Sequence, residues 1–229
     1  MTYKELINQV LVKLREETLS DWSGAINDSV TVTDYQKVIG SLINDAKRSI
    51  ESYHNWLILR ETKNINTIAG TKNYSLASGQ EFIILDVVNN STGNQLGQVS
   101  RTYLNSIMYP NDPTGEPNYY GFNGSDSSNN LKIDLSPIPT EVQTLSFDIV
   151  KYQDVLTAAA TVVKVPTTPI ILGAYARAVA ERGEDGGTQS SIAAQEAADS
   201  LAQAVILDSG KTEYENDWYV ETNYHHTNR

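Results

Sequence analysis

The sequence predicts an α+β protein with a four-helix body built from both chain ends, a sandwich- or barrel-like β-rich insertion, and an extended C-terminal arm. All seven prolines lie between Pro110 and Pro169, so both ends lack the residue that most disrupts helices. Apolar residues recur at three- and four-residue spacing near both ends, whereas short β-type runs fill the middle. With 40% apolar and 20% charged residues, the 229-residue chain is expected to bury a core.

Two helices are predicted before residue 58, and each begins at a capping-box signature. Thr2 and Glu5 precede an apolar stripe that predicts a helix over residues 3–17. Thr33 and Gln36 precede a longer stripe, which keeps one face apolar over about six turns. Its residues are Tyr35, Val38, Ile39, Leu42, Ile43, Ala46, Ile50, Tyr53 and Leu57.

The middle of the chain carries short β-type runs separated by turn residues, which predict five or six strands. These runs are LILRETKNI, NYSL, EFIILDVVNN, LKIDL and TLSFDIVKY. Residues 109–130 are dense in Pro, Gly, Asn and Ser, and they predict a long exposed loop. This loop is expected to present the aromatic residues Tyr119, Tyr120 and Phe122 to a partner.

Two more helices are predicted after residue 166. The third runs from about Ile171 to a stop at Gly183, and the fourth ends at Gly210. The fourth has a narrow stripe of mostly small residues, which lets a neighbouring helix approach closely. That stripe consists of Ala194, Ala197, Leu201, Ala204 and Val205.

The last nineteen residues, 211–229, show no helical stripe and predict an extended arm that reaches roughly 60 Å. The arm carries four aromatic residues suited to anchoring an interface, either by packing back on the chain or by docking on another subunit. These are Tyr214, Trp218, Tyr219 and Tyr224. The predicted organisation is therefore a helical body from 1–59 and 153–210, a β-rich insertion at 60–152, and the arm.

Charge and composition disfavour several classes of function. Seventeen basic and twenty-eight acidic residues give a net charge of −11, which argues against DNA reading and membrane coating. The absence of cysteine removes disulfides and thiolate chemistry and fits assembly in a reducing cytoplasm. No apolar run has the length of a signal peptide core or a membrane span, so we expect a soluble protein.

Catalytic residues are not predicted. Only three histidines are present, and two of them, His225 and His226, lie in the arm. His54 is expected to be a structural residue with its ring polar atoms satisfied. The glycines of RGEDGGT lack the spacing of a phosphate-binding loop, and they predict a turn between the third and fourth helices.

No metal or cofactor site is predicted either. Four residues offer oxygen ligands of the kind that calcium prefers, but their spacing does not match a calcium-binding loop. They are Asp112, Asp126, Asn129 and Asn130. His225 and His226 are expected to form a solvated polar end of the chain.

The order of these elements resembles the head-to-tail adaptor proteins of short-tailed bacteriophages, a family also called tail tubular protein A. Three segments carry the resemblance, and they cover most of the helical frame. They are YKELINQVLVKLREE, YQKVIGSLINDAKRSIESYHNWLILRE and PIILGAYARAVAERGEDGGTQSSIAAQEAADSLAQAVILDSG.

The resemblance implies a homo-dodecameric ring in the virion, at the head–tail junction, assembled in the host cytoplasm. It implies portal protein on one side, the tail nozzle or tail tubular protein on the other, and DNA passing through the lumen without sequence-specific binding. It also implies that the arm docks on the portal through its aromatic residues, with Tyr119, Tyr120 and Phe122 on the tail side.

Two other functions remain open from the residues alone. The first is a carbohydrate- or receptor-binding β module that uses Tyr119, Tyr120 and Phe122 as a stacking platform. The second is a hydrolase with a carboxylate pair among its scattered Asp and Glu residues.

Overall fold

The computed structural model describes residues 1–27, 31–76, 81–108, 112–183 and 187–224, and for residues 212–224 it describes the backbone alone. The described chain forms two compact units. The helical unit combines Met1–Ile58 with Gln153–Arg229, and the β unit is Leu59–Tyr152. The predicted α+β class is confirmed.

Five α-helices occur in the described residues, whereas the sequence predicted four. They are α1 (Tyr3–Lys13), α2 (Asp34–Glu51), α3 (Arg101–Met108), α4 (Thr167–Arg182) and α5 (Thr188–Tyr224). The helical unit contains α1, α2, α4 and α5, and α4 packs against each of the other three.

Both predicted capping boxes are formed, at Thr2 for α1 and at Thr33 for α2. Both helices end several residues earlier in the sequence than predicted. The chain leaves α1 through Arg15, which adopts a left-handed φ of 59°, so the predicted extension to residue 17 is wrong. Helix α2 stops at Glu51, and Tyr53 is consequently exposed instead of buried.

The helix stop predicted at Gly183 is confirmed, because Gly183 is the left-handed C-cap of α4 with φ 64°. The stop predicted at Gly210 is wrong, and so is the extended arm over residues 211–224, since α5 continues to Tyr224. Gly210 has no left-handed φ, and a helical glycine costs only about 1 kcal/mol. Residues 225–229 of the predicted arm lie outside the described residues.

The described residues of the β unit form eight strands, two of which have only two residues, whereas the sequence predicted five or six. The strands are β1 (Arg60–Asn66), β2 (Asn73–Leu76), β3 (Phe82–Asn89), β4 (Asn94–Gln95), β5 (Gly97–Gln98), β6 (Tyr119–Ser125), β7 (Leu131–Ser136) and β8 (Thr144–Lys151). They form two four-stranded sheets with the orders β1-β8-β3-β4 and β2-β7-β6-β5. Both sheets are open, so the barrel-like alternative for the insertion is wrong.

The core of the β unit draws buried side chains from both sheets, which makes the unit a two-layer arrangement. Ile133 and Leu135 come from β7, and Leu145, Phe147 and Ile149 come from β8. These β8 residues alternate along the strand, as expected when one face of a strand is buried.

The long loop predicted over residues 109–130 is wrong for residues 119–125, which form β6. Helix α3, also unpredicted, packs on this strand at Gly121. A Cβ at Gly121 would lie 3.3 Å from the Leu104 side chain and 3.2 Å from the carbonyl oxygen of Val99. Glycine therefore permits close packing at this position, although in sequence the same glycine contributes to a composition typical of a loop.

Candidate assembly and docking surface

Helix α5 is far longer than the helix beside it. Its 37 residues span about 55 Å, whereas the 16 residues of α4 span about 24 Å. Since the chain passes from α4 to α5 through a short connection after Gly183, α4 flanks the N-terminal half of α5. The C-terminal part of α5 therefore runs beyond the length that α4 covers.

The N-terminal half of α5 is itself covered on one face only. Ala193 is buried, while Ile192, Ile206 and Leu207 are 55%, 70% and 72% exposed. Three alanines, Ala194, Ala198 and Ala202, are also exposed at successive helical turns. We call the set Ala194, Ala198, Ala202 and Ile206, which follow one another at four-residue steps, the α5 outer face.

Asp208 fixes α5 to the turn that follows α2. This side chain is buried, and its Oδ2 accepts a hydrogen bond from the backbone N–H of Leu57 at 3.0 Å. The Nε2 of His54 lies 3.3 Å from the same oxygen, and the Nζ of Lys211 lies 3.6 Å from Oδ1. The His54 ring thus has a polar neighbour, and it also contacts the Trp56 ring edge to face.

A groove of about 570 Å³ lies beside this anchor, entirely within the helical unit. Ile58, Pro166, Pro169 and Leu207 supply apolar lining, and the indole of Trp56 is buried at its base. Lys164 and Lys211 add two cations to the lining. We call this feature the α5 groove.

The chain segment that re-enters the helical unit after the β unit is held by polar side chains of α2. Lys47 and Glu51 form a buried ion pair at 3.1 Å. The Nζ of Lys47 also donates to the carbonyl of Gln153 at 2.5 Å, and Glu51 accepts from the N–H of Gln153 at 3.2 Å. Burial raises the pKa of Glu51, although the Lys47 ammonium opposes that shift.

Asn44 continues this polar row toward Leu156. Its Oδ1 accepts from the N–H of Leu156 at 2.8 Å, and its Nδ2 donates to the Leu156 carbonyl at 3.0 Å. Nδ2 also lies 3.3 Å from the hydroxyl of Tyr3. Together these bonds satisfy backbone groups of an irregular segment, which is a structural role.

Tyr119, Tyr120 and Phe122 lie in β6 and do not form one exposed platform. Tyr119 is 38% exposed and contacts Tyr103 edge to face, whereas Tyr120 is 4% exposed and contacts Phe147 in the core. Burial raises the pKa of Tyr120 to about 12, and the Asp86 carboxylate adds to that shift. Sequence reasoning missed Tyr103 because it did not predict α3.

The four oxygen-bearing residues considered as calcium ligands are engaged with protein groups. Asp126 accepts from Ser75 Oγ at 2.6 Å and from the N–H groups of Ser128 and Asn130 at 2.8 Å. These hydrogen bonds, led by that of Ser75, lower the pKa of Asp126 to about 2. Asp112 pairs with Lys72 at 3.1 Å.

The part of the chain that the structure describes lacks two further features. Within it, no group of His, Cys, Asp and Glu side chains is placed to hold a metal ion. None of its helices combines the length and the apolar character needed to cross a membrane.

The aromatic residues predicted for portal docking lie at the far end of the chain. Tyr214, Trp218, Tyr219 and Tyr224 belong to the C-terminal part of α5 by their backbone, and their side chains are outside the described residues. His225 and His226 also lie outside them, as does Gly186.

The α5 outer face, the α5 groove and the C-terminal part of α5 are features of the kind that protein–protein contacts use. The sequence model of the SU10 adaptor protein family matches residues 1–219, so the chain belongs to the SU10 adaptor protein family. This membership confirms the predicted resemblance to phage head–tail adaptors, and it gives the protein a structural adaptor role in the virion. A comparison with curated proteins found no match.

Proposed function

We propose that this protein is the subunit of an adaptor ring that joins the phage portal to the tail and extends the DNA exit channel. The observation that carries the proposal is the family match over residues 1–219, which includes both units and most of α5. We further propose that the helical unit and the β unit act as separate domains, with the helical unit forming the ring wall and the β unit meeting the tail.

The ring contact uses the α5 outer face. Small side chains at Ala194, Ala198 and Ala202 permit close approach of a neighbouring helix, and Ile206 supplies apolar area to bury. A closed ring needs a heterologous contact, in which this face meets a different surface of the next copy. Twelve copies is the number that the resemblance implies.

The portal contact uses the C-terminal part of α5 and the residues after it. Helical residues 212–224 project about 20 Å beyond Lys211, in place of the roughly 60 Å expected for an extended arm. Tyr214, Trp218, Tyr219 and Tyr224 supply the aromatic anchors.

The tail contact involves the exposed pair Tyr103 and Tyr119 of the β unit. Tyr120 supports this pair from the core instead of touching the partner directly. The net charge of −11 on each subunit suits a channel lining that repels the phosphates of passing DNA, so DNA moves through the lumen without being held.

The experiment is attachment to purified portal, measured by sedimentation and electron microscopy. The full chain is compared with a chain that ends at Lys211, and the variant Ile206→Asp is compared with Val142→Asp. Val142 is a matched control because it is as exposed as Ile206 but lies in the β unit. We expect rings from the full chain and from Val142→Asp, and loss of portal attachment on truncation.

The three parts of the proposal fail separately. If no ring forms with any of these chains, the adaptor-ring function is wrong. If the full and truncated chains attach to portal equally well, the C-terminal docking segment alone is wrong. If Ile206→Asp assembles as well as Val142→Asp, the outer face of α5 is not the ring contact.

A further inference from the structure

The α5 groove exposes apolar side chains that nothing in the described helical unit covers. Ile58 is 59% exposed and Leu207 is 72% exposed, and both line the groove. Burial of side chains of this size is favourable by roughly 25 cal/mol for each Å² removed from water, so a fitting segment would gain from entering the groove.

The chemistry of the groove selects among possible occupants. Its apolar lining favours a segment with aromatic or aliphatic anchors, and Lys164 and Lys211 favour a segment of negative charge. Asp208 offsets only one of these cations, because its Oδ1 lies 3.6 Å from the Nζ of Lys211, and Lys164 leaves the lining with a net positive charge.

The chain itself contains a segment of this character. Residues 212–224, TEYENDWYVETNY, carry four acidic and four aromatic residues and no basic residue. Their charge therefore complements that of the groove, and their aromatic residues suit its apolar lining.

This segment cannot enter the groove of its own chain. Lys211 is the last residue lining the groove, and α5 continues from it as a helix to Tyr224. A continuous helix cannot fold back on itself, so residues 212–224 point away along the helix axis. Only the groove of another copy is therefore open to them.

We propose that, in the absence of portal, residues 212–224 of one copy bind in the α5 groove of a second copy. The proposal rests on the proposed function in one respect, that the same segment later docks on the portal. Portal binding then competes with this contact between copies, which shields the aromatic residues until assembly.

Disulfide trapping tests the contact, because the natural chain contains no cysteine. One full-length protein carries Ile58→Cys in the groove, and a second full-length protein carries Asn216→Cys in the segment. The two are mixed and oxidised, and the cross-linked heterodimer is quantified on a denaturing gel. Val142→Cys replaces Ile58→Cys in the control, since both side chains are exposed.

We expect the groove cysteine to give at least about fivefold more heterodimer than the control cysteine. Adding Leu207→Asp to the groove-bearing protein is expected to remove this excess, and about 0.5 M salt to reduce it. Leu207→Asp should leave the thermal midpoint of the protein unchanged, because the replaced side chain is exposed.

Equal trapping by Ile58→Cys and Val142→Cys would overturn the proposal, as would trapping that Leu207→Asp leaves intact. Loss of trapping with Ile206→Asp but not with Leu207→Asp would place the contact on the α5 outer face instead.

Portal attachment is measured on the same proteins. Absence of trapping with intact portal attachment defeats this proposal alone, and trapping without portal attachment defeats the portal docking alone.

Discussion

Replacing Lys47 by Met removes one half of a buried ion pair and leaves the other half in place. Lys47 and Glu51 are 2% and 0% exposed, so water cannot solvate the carboxylate that remains. Breaking a buried pair in this way costs about 3–5 kcal/mol of unfolding free energy. The Gln153 carbonyl also loses its donor, which places the effect toward the upper end of that range.

The double variant Lys47→Met/Glu51→Met separates the cost of burying an unpaired charge from the cost of losing the hydrogen bonds to Gln153. It buries no unpaired charge, but it leaves the N–H and carbonyl of Gln153 without their side-chain partners. A remaining cost of about 1–3 kcal/mol is expected for these groups. The double variant should therefore be more stable than the single variant.

Urea denaturation followed by circular dichroism measures the free energy of unfolding of the parent protein and of both variants. Glu51 has a raised pKa in the folded state, so its contribution to stability falls as the pH rises through that value. Losing the Lys47 ammonium raises the pKa of Glu51 further, so the deficit of Lys47→Met should be smaller at pH 4 than at pH 7. A double variant less stable than the single one, or a deficit that grows on acidification, would refute this reasoning.

Three further predictions concern other parts of the chain. Gly40→Ala should destabilise by about 1–3 kcal/mol in urea denaturation despite the higher helix propensity of alanine, because its Cβ would lie 2.5 Å from the Tyr3 hydroxyl. Asp208→Ala should cost about 1–3 kcal/mol in the same assay, because the partly buried N–H of Leu57 loses its acceptor. Asp126 has a lowered pKa, so its stabilisation should be present above pH 4 and lost as the pH falls through about 2, which thermal melts against Asp126→Asn would detect.

Each of these predictions has its own contradicting result. A Gly40→Ala protein more stable than the parent would show that α1 and α2 adjust without strain. Asp208→Ala with unchanged stability would show that the contact to Leu57 is dispensable. Asp126→Asn with the same melting profile as the parent between pH 5 and pH 2 would exclude a role for that carboxylate.

The starts of α1 and α2 were predictable because their signals are local, whereas α4 has no side-chain cap and begins at Thr167, about four residues before its predicted start. A capping box needs only residues three apart, so Thr2 with Glu5 and Thr33 with Gln36 could be recognised from sequence. Helix ends were less predictable. Gly183 and Gly210 look alike in sequence, but only Gly183 adopts the left-handed conformation that ends a helix.

The region of β6 was mispredicted as a loop because it is rich in glycine. In the structure these glycines serve the packing and bending of a strand. Gly121 permits the close approach of α3 to the strand, and Gly124 adopts a φ of 70° where the β6–β7 register shifts. The α5 groove could not be predicted at all, since it combines Ile58 with residues more than 100 positions later. Only tertiary packing brings such residues together.

Electron microscopy of the purified protein mixed with portal tests the central claim most directly. The account predicts a closed ring of this protein on one face of the portal, with its channel continuous with that of the portal. Portal particles without an added ring, at protein concentrations that saturate every other contact, would contradict the account.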